Sequence, residues 1–454
     1  MSSRLERDFT EGNVFHLLLE FCVPFLLANL LQALYGMVDV MVVGWFCETH
    51  VLTGVNSGSQ VTHLVTMAVS GLTVGGTVLV AQYYAAKKPK DVSETIGTMF
   101  SLLFICAIVL MAIVLIFLTP ILSLLNLESD ALESGKDYLR ICTYGTIFIF
   151  GYNAISAVQR GLGDSKRPLW FVAIACFINI ALDFLLVGAF KMGASGAALA
   201  TVIAQGISLL LAAFYLARRG FVFDFKPASF KIMKDKVKKL VSLGIPSSAQ
   251  SIITNLSFLL MTSLSNGIGV TAGAAVGVVG KFNSIAILPI VAMSSSVSSI
   301  AAQNIAAEKY DRAKSTAKAG IVISFAVGLL VFIVSQLFAE EILMLFKKND
   351  MEVVEKGAKY LRAFCFDYLG VAFLFSMNSL IIASGHATFS MISSSTSALI
   401  LRAPVAWILS KTSLEIAGVG YAAPAATLVA IIMAGIFLMS GRWRVNKTGI
   451  RRES

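Results

Sequence analysis

The sequence predicts an all-α integral membrane protein with twelve transmembrane helices in two pseudo-symmetric six-helix bundles. Of its 454 residues, 57% are hydrophobic and 14% are charged, whereas soluble proteins have about 25% charged residues. The mean hydropathy of +0.81 agrees. Apolar stretches of about 20 residues, long enough to cross a bilayer, also recur along the whole chain. These three observations make lipid the expected surroundings of most of the chain.

The predicted spans are continuous apolar runs, which favour helices over the short alternating strands of an outer-membrane barrel. They are expected at 15–45, 52–84, 95–125, 138–160, 168–190, 194–217, 238–266, 274–305, 317–346, 360–384, 390–411 and 416–440. The polar start, MSSRLERDFTEGN, has no cleavable signal pattern. The cysteines mostly fall inside the apolar runs without a CxxC motif, which indicates core residues rather than disulfides or metal ligands.

The Lys and Arg residues of the chain are predicted to lie mostly on one side of the membrane. Most Lys and Arg lie in segments that face the cytoplasm if both termini are inside, such as KKPK at 87–90 and RWRVNKTGIRR near the end. This follows the positive-inside rule. The net charge of +10 therefore indicates orientation in the plasma (inner) membrane, with both termini cytoplasmic, rather than a nucleic-acid partner.

The two halves of the chain resemble each other. AQYYAAKK at 81–88 corresponds to AQNIAAEK at 302–309, and YLRICTYG at 138–145 corresponds to YLRAFCFD at 360–367. Because each half has six spans, an even number, both halves begin on the same side of the membrane. Such parallel repeats commonly hold a substrate site between two bundles that rock against each other. The predicted division is an N-terminal bundle at 1–217, a cytoplasmic linker at 218–239, a C-terminal bundle at 240–441 and a basic cytoplasmic tail at 442–454.

Polar side chains follow one face of several predicted spans. Such a stripe can serve helix–helix hydrogen bonding, but stripes on several helices together better fit the walls of a wet cavity. The substrate-cavity candidates are Asn29, Gln32, Tyr35, Gln60, His63, Asn153, Gln205, Gln250 and Thr254. Pro24, whose repeat counterpart is Pro246, can either kink the first helix or act as a hinge.

Two carboxylates lie inside predicted spans, Asp39 in the first and Asp183 in the fifth. An ionisable residue at membrane depth costs at least about 2.5–3.5 kcal/mol, which makes it a functional candidate. At about 1.5 Å per residue, both carboxylates, Asn179 and Thr201 fall in the outer half of the N-terminal bundle. Their oxygen atoms suit Na⁺, and the carboxylates could carry a proton instead. The structural alternative is a buried polar cluster that only orients the helices.

These residues resemble the multidrug and toxic compound extrusion (MATE) family along essentially the whole chain. The first-span pattern of Pro24, Asn29, Gln32, Tyr35 and Asp39 resembles the first helix of the family. RGLGDSKRP at 160–168 resembles the family's loop after the fourth helix. AQYYAAKK and AQNIAAEK resemble its loops after the second and eighth helices.

The resemblance implies secondary antiport by alternating access, in which inward Na⁺ or H⁺ movement drives export of organic, often cationic or amphipathic, drug-like compounds. It implies no cofactor beyond the coupling ion, and we expect a monomer. It also implies that the cation ligands of members with an N-lobe site carry over to Asp39, Asn179, Asp183 and Thr201. Other members place a carboxylate on the seventh helix, where SSAQSIITNLS here has no acid. Asp367 lies elsewhere, so coupling through the C-terminal half stays open.

Three other functions compete with antiport. A flippase for a lipid-linked sugar or other lipid of the same broader superfamily would need cavity cations, for which Lys281 and Arg402 are the deep candidates. An intramembrane protease is suggested weakly by GASG at 193–196, but no His lies at a plausible facing position, so no enzyme activity is expected. A channel fits two pseudo-symmetric bundles less well than alternating access does.

Overall fold

The computed structural model describes residues 6–125, 127–219, 221–347 and 350–452. Within these ranges the chain forms seventeen α-helices and no β-strand. The helices are α1 (Val14–Phe46), α2 (Thr49–Ala85), α3 (Pro89–Ile116), α4 (Leu118–Ser123), α5 (Ser129–Gly161), α6 (Lys166–Asp183), α7 (Gly193–Arg218), α8 (Lys234–Ile268), α9 (Val270–Ala286), α10 (Leu288–Ala306), α11 (Tyr310–Leu337), α12 (Ala339–Phe346), α13 (Met351–Phe364), α14 (Phe366–Ala383), α15 (Ala387–Ser395), α16 (Ala403–Ser410) and α17 (Glu415–Met439). Two π-helical segments, Phe184–Ala189 and Thr396–Arg402, extend α6 and join α15 to α16.

The helices confirm the predicted all-α, multi-pass architecture. Ten of them, counted with their π-helical extensions, are long and apolar enough to cross a membrane. Helices α9 and α10 are bent by 43° at their junction, and together they are long and apolar enough to form an eleventh span. The remaining predicted span, 238–266, falls on α8, which is 35 residues long but does not meet the same apolarity criterion. Its middle carries SSAQSIITNLS, which is rich in Ser, Thr, Asn and Gln.

The chain divides by contact into two compact units. The first unit combines the described part of 1–8 with Val23–Ser248, and the second combines Phe9–Cys22 with the described part of 249–454. The predicted domain bounds follow the sequence repeat and stay a prediction. Of the three places where the contact grouping changes, two lie inside a long helix and beside a proline, Pro24 in α1 and Pro246 in α8.

The segment at 218–239, predicted as a linker, packs on α3 within the first unit. Phe223 is fully buried and stacks on Phe100 with 6.1 Å between ring centroids. Gly97 leaves room for this segment, because a Cβ atom there would lie 2.1 Å from the carbonyl oxygen of Ser229. Side-chain packing therefore fixes the path of the chain into α8.

The first turn of α8 is anchored by Lys236, which is 2% exposed. Its ammonium group donates to the carboxylate of Asp91 and, at 3.1 Å, to the hydroxyl of Tyr83. It also lies 3.1 Å from Asp235. Burial alone lowers the pKa of Lys236, but the hydrogen bonds with Asp91, Tyr83 and Asp235 outweigh burial, and the pKa is raised. The charged ammonium thus ties α8 to α2 and α3.

The segment before α1 is held in a comparable way in the second unit. The backbone N–H of Phe9 donates to Gln303 Oε1 at 2.8 Å. The guanidinium of Arg312 donates to the carbonyl oxygens of Phe9 and Glu11 at 3.2 and 2.6 Å. Gln303 belongs to AQNIAAEK, the repeat counterpart of the AQYYAAKK stretch that contains Tyr83. In both repeats, therefore, residues at the end of one helix and at the start of the next hold the start of a long helix.

Candidate cation site

The four residues predicted to hold a cation come together in the first unit. Asp39 lies in α1, Asn179 and Asp183 lie in α6, and Thr201 lies in α7. The exposed fraction is 5% for Asp39, 1% for Asn179 and 0% for Asp183. Asn179 and Asp183 share one helical face because they are four residues apart. Asn179 Nδ2 donates to the Thr201 hydroxyl at 3.5 Å.

The oxygen atoms of this group, which we call the acidic cluster (Asp39, Asn179, Asp183 and Thr201), are poorly satisfied. The Asp39 and Asp183 carboxyl groups interact directly. However, both Asp183 oxygens and Asp39 Oδ1 make no hydrogen bond of normal distance and angle, and Asn179 Oδ1 makes none either. Such a buried polar atom costs about 1–3 kcal/mol when it is left unpaired. The cluster therefore leaves four buried oxygen atoms to which a cation or a proton could bind.

The charge of the acidic cluster is not balanced by a basic side chain. In the described part of the chain, neither Asp39 nor Asp183 forms an ion pair with Lys, Arg or His. Two negative charges in contact away from water repel each other strongly. The described residues also contain no group of three or more His, Cys, Asp or Glu that could hold a metal ion. A cation here would be held by two carboxylates, an amide and a hydroxyl.

A local distortion of the helix follows Asp183. This residue ends α6, and the π-helical segment Phe184–Ala189 begins directly after it. Wide π-helical turns inside α-helices are rare and frequent at functional sites. Sequence reasoning missed this segment, because FLLVGA is as apolar as the regular helix before it.

Among the substrate-cavity candidates of the first unit, Tyr35 and Gln205 form a pair. Gln205 Nε2 donates to the Tyr35 hydroxyl at 3.1 Å. Tyr35 lies one turn before Asp39 on α1 and close enough to interact with its charge. The Tyr35–Gln205 pair therefore connects α1 and α7 next to the acidic cluster.

The other candidates of the first unit lie apart from this pair. Asn29 and Gln32 are half-buried on α1, whereas Gln60 and His63 are exposed on α2. Asn153 on α5 lines a small cavity of about 50 Å³. The structure thus brings Tyr35 and Gln205 to the cluster and leaves these five elsewhere in the unit.

The candidates of the second unit, Gln250 and Thr254, are hydrogen-bonded within that unit. Gln250 Nε2 donates to Ser394 Oγ at 3.0 Å, and its Oε1 accepts from Ser390 Oγ at 3.2 Å. The Thr254 hydroxyl donates to the backbone carbonyl of Gln250 at 2.9 Å. Gln250 thus connects α8 to α15 by two hydrogen bonds.

Sequence reasoning missed a second charged group, the mixed cluster of Asp367, Arg402 and Thr427 in the second unit. Asp367 is 5% and Arg402 7% exposed. Asp367 Oδ1 accepts from the Thr427 hydroxyl at 2.5 Å and interacts electrostatically with Arg402. The Arg402 guanidinium carbon lies 4.8 Å from the ring centroid of Phe258. Arg402 is therefore buried as expected, whereas Lys281, the other basic residue expected to be deep, is exposed.

Comparison with known proteins places the chain among transporters. The family model described as MatE matches residues 24–185 and 246–408, which together exceed half of the chain. The probable multidrug resistance protein YoeA of Bacillus subtilis is 32% identical over 421 residues, which cover 91% of each chain. The probable multidrug resistance protein YpnP of the same organism is 29% identical over 449 residues, which cover 97% of this chain and 98% of the relative.

A solved structure supports the fold. It is described as the outward-facing conformation of a multidrug resistance MATE family transporter of the MOP superfamily. Its TM-score is 0.89 at 20% sequence identity, and the match covers 97% of this chain and 98% of the other. The family model also matches twice, from Pro24 and from Pro246, which supports the duplication inferred from the sequence.

Proposed function

The chain belongs to the multidrug and toxic compound extrusion (MATE) family, and we propose that it is a secondary antiporter that exports organic compounds in exchange for a cation. The relatives above are named multidrug resistance proteins, which supports small organic cargo. We further propose that this cargo is cationic or amphipathic and drug-like. The transport cycle needs no cofactor, since the cation gradient supplies the free energy.

The acidic cluster carries this proposal. Its four buried, unpaired oxygen atoms on Asp39, Asn179 and Asp183 form a set that one Na⁺ could contact, whereas one proton would be shared between two of them. Either species removes repulsion between the two carboxylates. A ligand shifts a conformational equilibrium only by its differential affinity for the two states. A cation that binds the cluster more tightly in one state than in the other would thereby drive the exchange.

We place the hinge of alternating access in α1 at Pro24. Helix α1 changes compact unit between Cys22 and Val23, directly before this proline. A proline inside a helix removes one backbone hydrogen bond, so bending costs less there than elsewhere in the helix. Asp39 lies on the same helix, so a change of charge at Asp39 can bias the bend.

We assign the substrate contacts to the polar residues predicted from the stripes. These are Asn29, Gln32, Tyr35, Gln60, His63, Asn153, Gln205, Gln250 and Thr254. Tyr35 is the residue through which substrate and cation would affect each other, because its hydroxyl binds Gln205 and its ring lies near Asp39. We propose a monomer in the plasma membrane with both termini in the cytoplasm, in keeping with the distribution of Lys and Arg.

Reconstitution into proteoliposomes tests the proposal. A fluorescent organic cation is loaded, and its efflux is followed under an imposed Na⁺ gradient at clamped pH, then under a pH gradient without Na⁺. We expect one gradient to drive efflux in the wild type and neither to drive it in Asp39→Asn or Asp183→Asn.

The matched control is Asp137→Asn, which removes an exposed carboxylate of the same unit that pairs with Arg140 at 3.8 Å. This variant should behave as the wild type does. Full efflux in both cluster variants would rule out the proposed site. Gradient-independent conductance would indicate a channel instead, and lipid movement without organic-cation efflux would indicate a flippase.

A further inference from the structure

The C-terminal tail, described over 442–452, is packed into the second unit. It follows α17 through Gly441, which has the left-handed backbone that suits glycine, with φ of 73°. Trp443 and Ile450 are 3% and 2% exposed. The Trp443 ring lies 6.2 Å, between centroids, from the ring of Tyr310, the first residue of α11. Although the tail is basic in sequence, buried apolar side chains therefore hold it.

Backbone hydrogen bonds attach the tail to the ends of two helices of this unit. The N–H of Lys447 donates to the carbonyl oxygen of Ser384, directly after α14, at 3.0 Å. Gly385 leaves room for this contact, because a Cβ atom there would lie 3.1 Å from Cβ of Lys447. The N–H of Arg452 donates to the carbonyl oxygen of Ala306, the last residue of α10, at 3.0 Å. The tail thus bridges the ends of α14 and α10.

The end of α10 also holds the N-terminal segment (residues 9–13), which leads into α1. Phe9 is fully buried, and its N–H donates to Gln303 Oε1 at 2.8 Å. Its carbonyl oxygen accepts from Asn304 Nδ2 at 3.3 Å. The tail and the N-terminal segment are therefore anchored at the same place, the α10–α11 junction (residues 303–312).

The first unit achieves the same arrangement with one continuous piece of chain. There the segment at 218–239 packs on α3 through Phe223, and Lys236 then anchors the start of α8 at the ends of α2 and α3. In the second unit two separate pieces divide these tasks. The tail packs on α11, and the N-terminal segment leads into α1. The two ends of the chain therefore do together what a covalent linker does in the first unit.

We propose that the tail is a strap that holds the α10–α11 junction and thereby fixes the first end of α1, so that bending at Pro24 moves the part of α1 that carries Asp39. This inference rests on the proposed antiport, in which α1 bends. Because no peptide bond joins the tail to the N-terminal segment, packing of the tail supplies the restraint that the chain itself supplies in the first unit. The tail acts by positioning, since none of its residues belongs to the acidic cluster or to the proposed substrate contacts.

Hydrogen–deuterium exchange of the full-length protein tests the strap without a transport assay. Ile450→Asp places a carboxylate where isoleucine is buried, which should detach the tail. The amides at 9–13 should then exchange at least about tenfold faster, and Ile450→Ala should give a smaller change in the same direction. The matched control is Val445→Asp, the same change of side-chain type in the tail at a position that is 64% exposed. It should exchange as the wild type does.

Efflux and ion binding test what the strap does. In proteoliposomes, gradient-driven efflux by Ile450→Asp should fall towards background, whereas ion binding to the acidic cluster should stay at the wild-type level, because the tail contributes no ligand. Arg312→Gln weakens the hydrogen bonds to the carbonyl oxygens of Phe9 and Glu11, so it should reduce efflux by itself. Combined with Ile450→Asp, it should add little, since two changes that act on one anchor are not additive.

Unchanged exchange at 9–13 in Ile450→Asp would overturn the proposal, as would equal acceleration in Val445→Asp. Faster exchange with efflux at the wild-type rate would overturn it as well, because the tail would then hold the N-terminal segment without serving transport. Loss of ion binding together with efflux would point to general unfolding rather than to positioning. If the wild type itself shows no gradient-driven efflux, the antiport proposal fails, while the exchange at 9–13 still decides whether the tail holds the N-terminal segment.

Discussion

Each compact unit contains a buried charged cluster, and the two clusters differ in what balances their charge. In the first unit, Asp39 and Asp183 interact with each other and with no basic side chain of the described residues. In the second unit, Asp367 interacts with Arg402 and accepts a hydrogen bond from Thr427. The chain thus places a basic side chain near the buried carboxylate in the second unit and none near the carboxylates in the first.

The local structure of the two clusters is otherwise similar. Asp183 directly precedes the π-helical segment Phe184–Ala189, and Arg402 ends the π-helical segment Thr396–Arg402. Both segments lie in the fifth predicted span of their half, and each cluster takes a threonine from the sixth, Thr201 or Thr427. The two clusters therefore lie beside the same distorted span of each repeat, although their side chains occupy different positions of the repeat.

The largest effect is expected when a basic side chain is introduced into the acidic cluster. Thr201→Lys places an ammonium beside Asp39 and Asp183, as Arg402 stands beside Asp367. The attached charge takes the place of the transported one, so gradient-driven efflux should fall to background while the midpoint of thermal unfolding stays close to that of the wild type. Thr201→Val is the control, because it removes only the hydroxyl. Efflux in Thr201→Lys at the wild-type rate would refute the comparison.

Removal of Arg402, the buried basic residue near Asp367, should destabilise the second unit. Arg402→Leu leaves the carboxylate of Asp367 buried without the electrostatic interaction that Arg402 supplies, and loss of one of two interacting buried charges costs up to about 3–5 kcal/mol. The double variant Asp367→Leu with Arg402→Leu should recover most of this loss, since replacing both buried charges by apolar residues is often close to neutral. The free energy of unfolding in detergent, measured by denaturant titration, checks both values. Equal stability of the single variant and the wild type would mean that the two charges do not depend on each other.

An intermediate effect is expected at Asn179. Asn179→Ala removes an amide oxygen from the acidic cluster, and a hydrogen bond or contact to a charged group contributes about 1.5–3 kcal/mol. The cation concentration that gives half-maximal efflux should rise by at least about tenfold. Asn378→Ala is the matched control, since Asn378 is also a buried asparagine, 5% exposed, but lies in the second unit. An equal rise in both variants would point to a general loss of packing.

The smallest effect is expected at Tyr35. Tyr35→Phe removes the hydrogen bond from Gln205, which contributes about 0.5–1.5 kcal/mol for a neutral pair. The concentration of organic cation at half-maximal transport should rise by no more than about tenfold, with the dependence on the coupling ion unchanged. Transport kinetics at several ion concentrations separate the two. A shift in the ion dependence alone would move Tyr35 from the substrate site to the cation site.

The acidic cluster could be predicted from the sequence, whereas the mixed cluster could not, for a physical reason. Asp39 and Asp183 stand out because a carboxylate in an apolar span is costly, and helix length places both at similar depth. Asp367 lies near the end of its predicted span, where charge is common, and no spacing rule pairs it with Arg402 on another helix. Its role follows only from the tertiary packing of α14 against its neighbours.

The fold was predictable to a similar degree. Apolar runs predicted twelve spans, among them 238–266 on α8, although the polar residues of α8 keep it from meeting the stricter apolarity criterion. Composition predicted a cytoplasmic linker at 218–239 but not its packing, in which Phe223 and its aromatic neighbours attach this segment to α3. Lys and Arg dominate the composition of that segment, so composition alone does not reveal the phenylalanines that pack it against α3.

Direct ion binding to the purified protein tests the central claim, that the acidic cluster of the first unit holds the coupling cation and the mixed cluster of the second does not. Binding of radiolabelled Na⁺, and proton uptake followed with an indicator dye in weak buffer, are compared among four proteins. These are the wild type, Asp39→Asn, Asp183→Asn and the double variant Asp367→Asn with Arg402→Gln. The account predicts that the wild type and the double variant bind the ion and that the two single variants do not. Binding that survives both single substitutions, or that is lost only in the double variant, would contradict it.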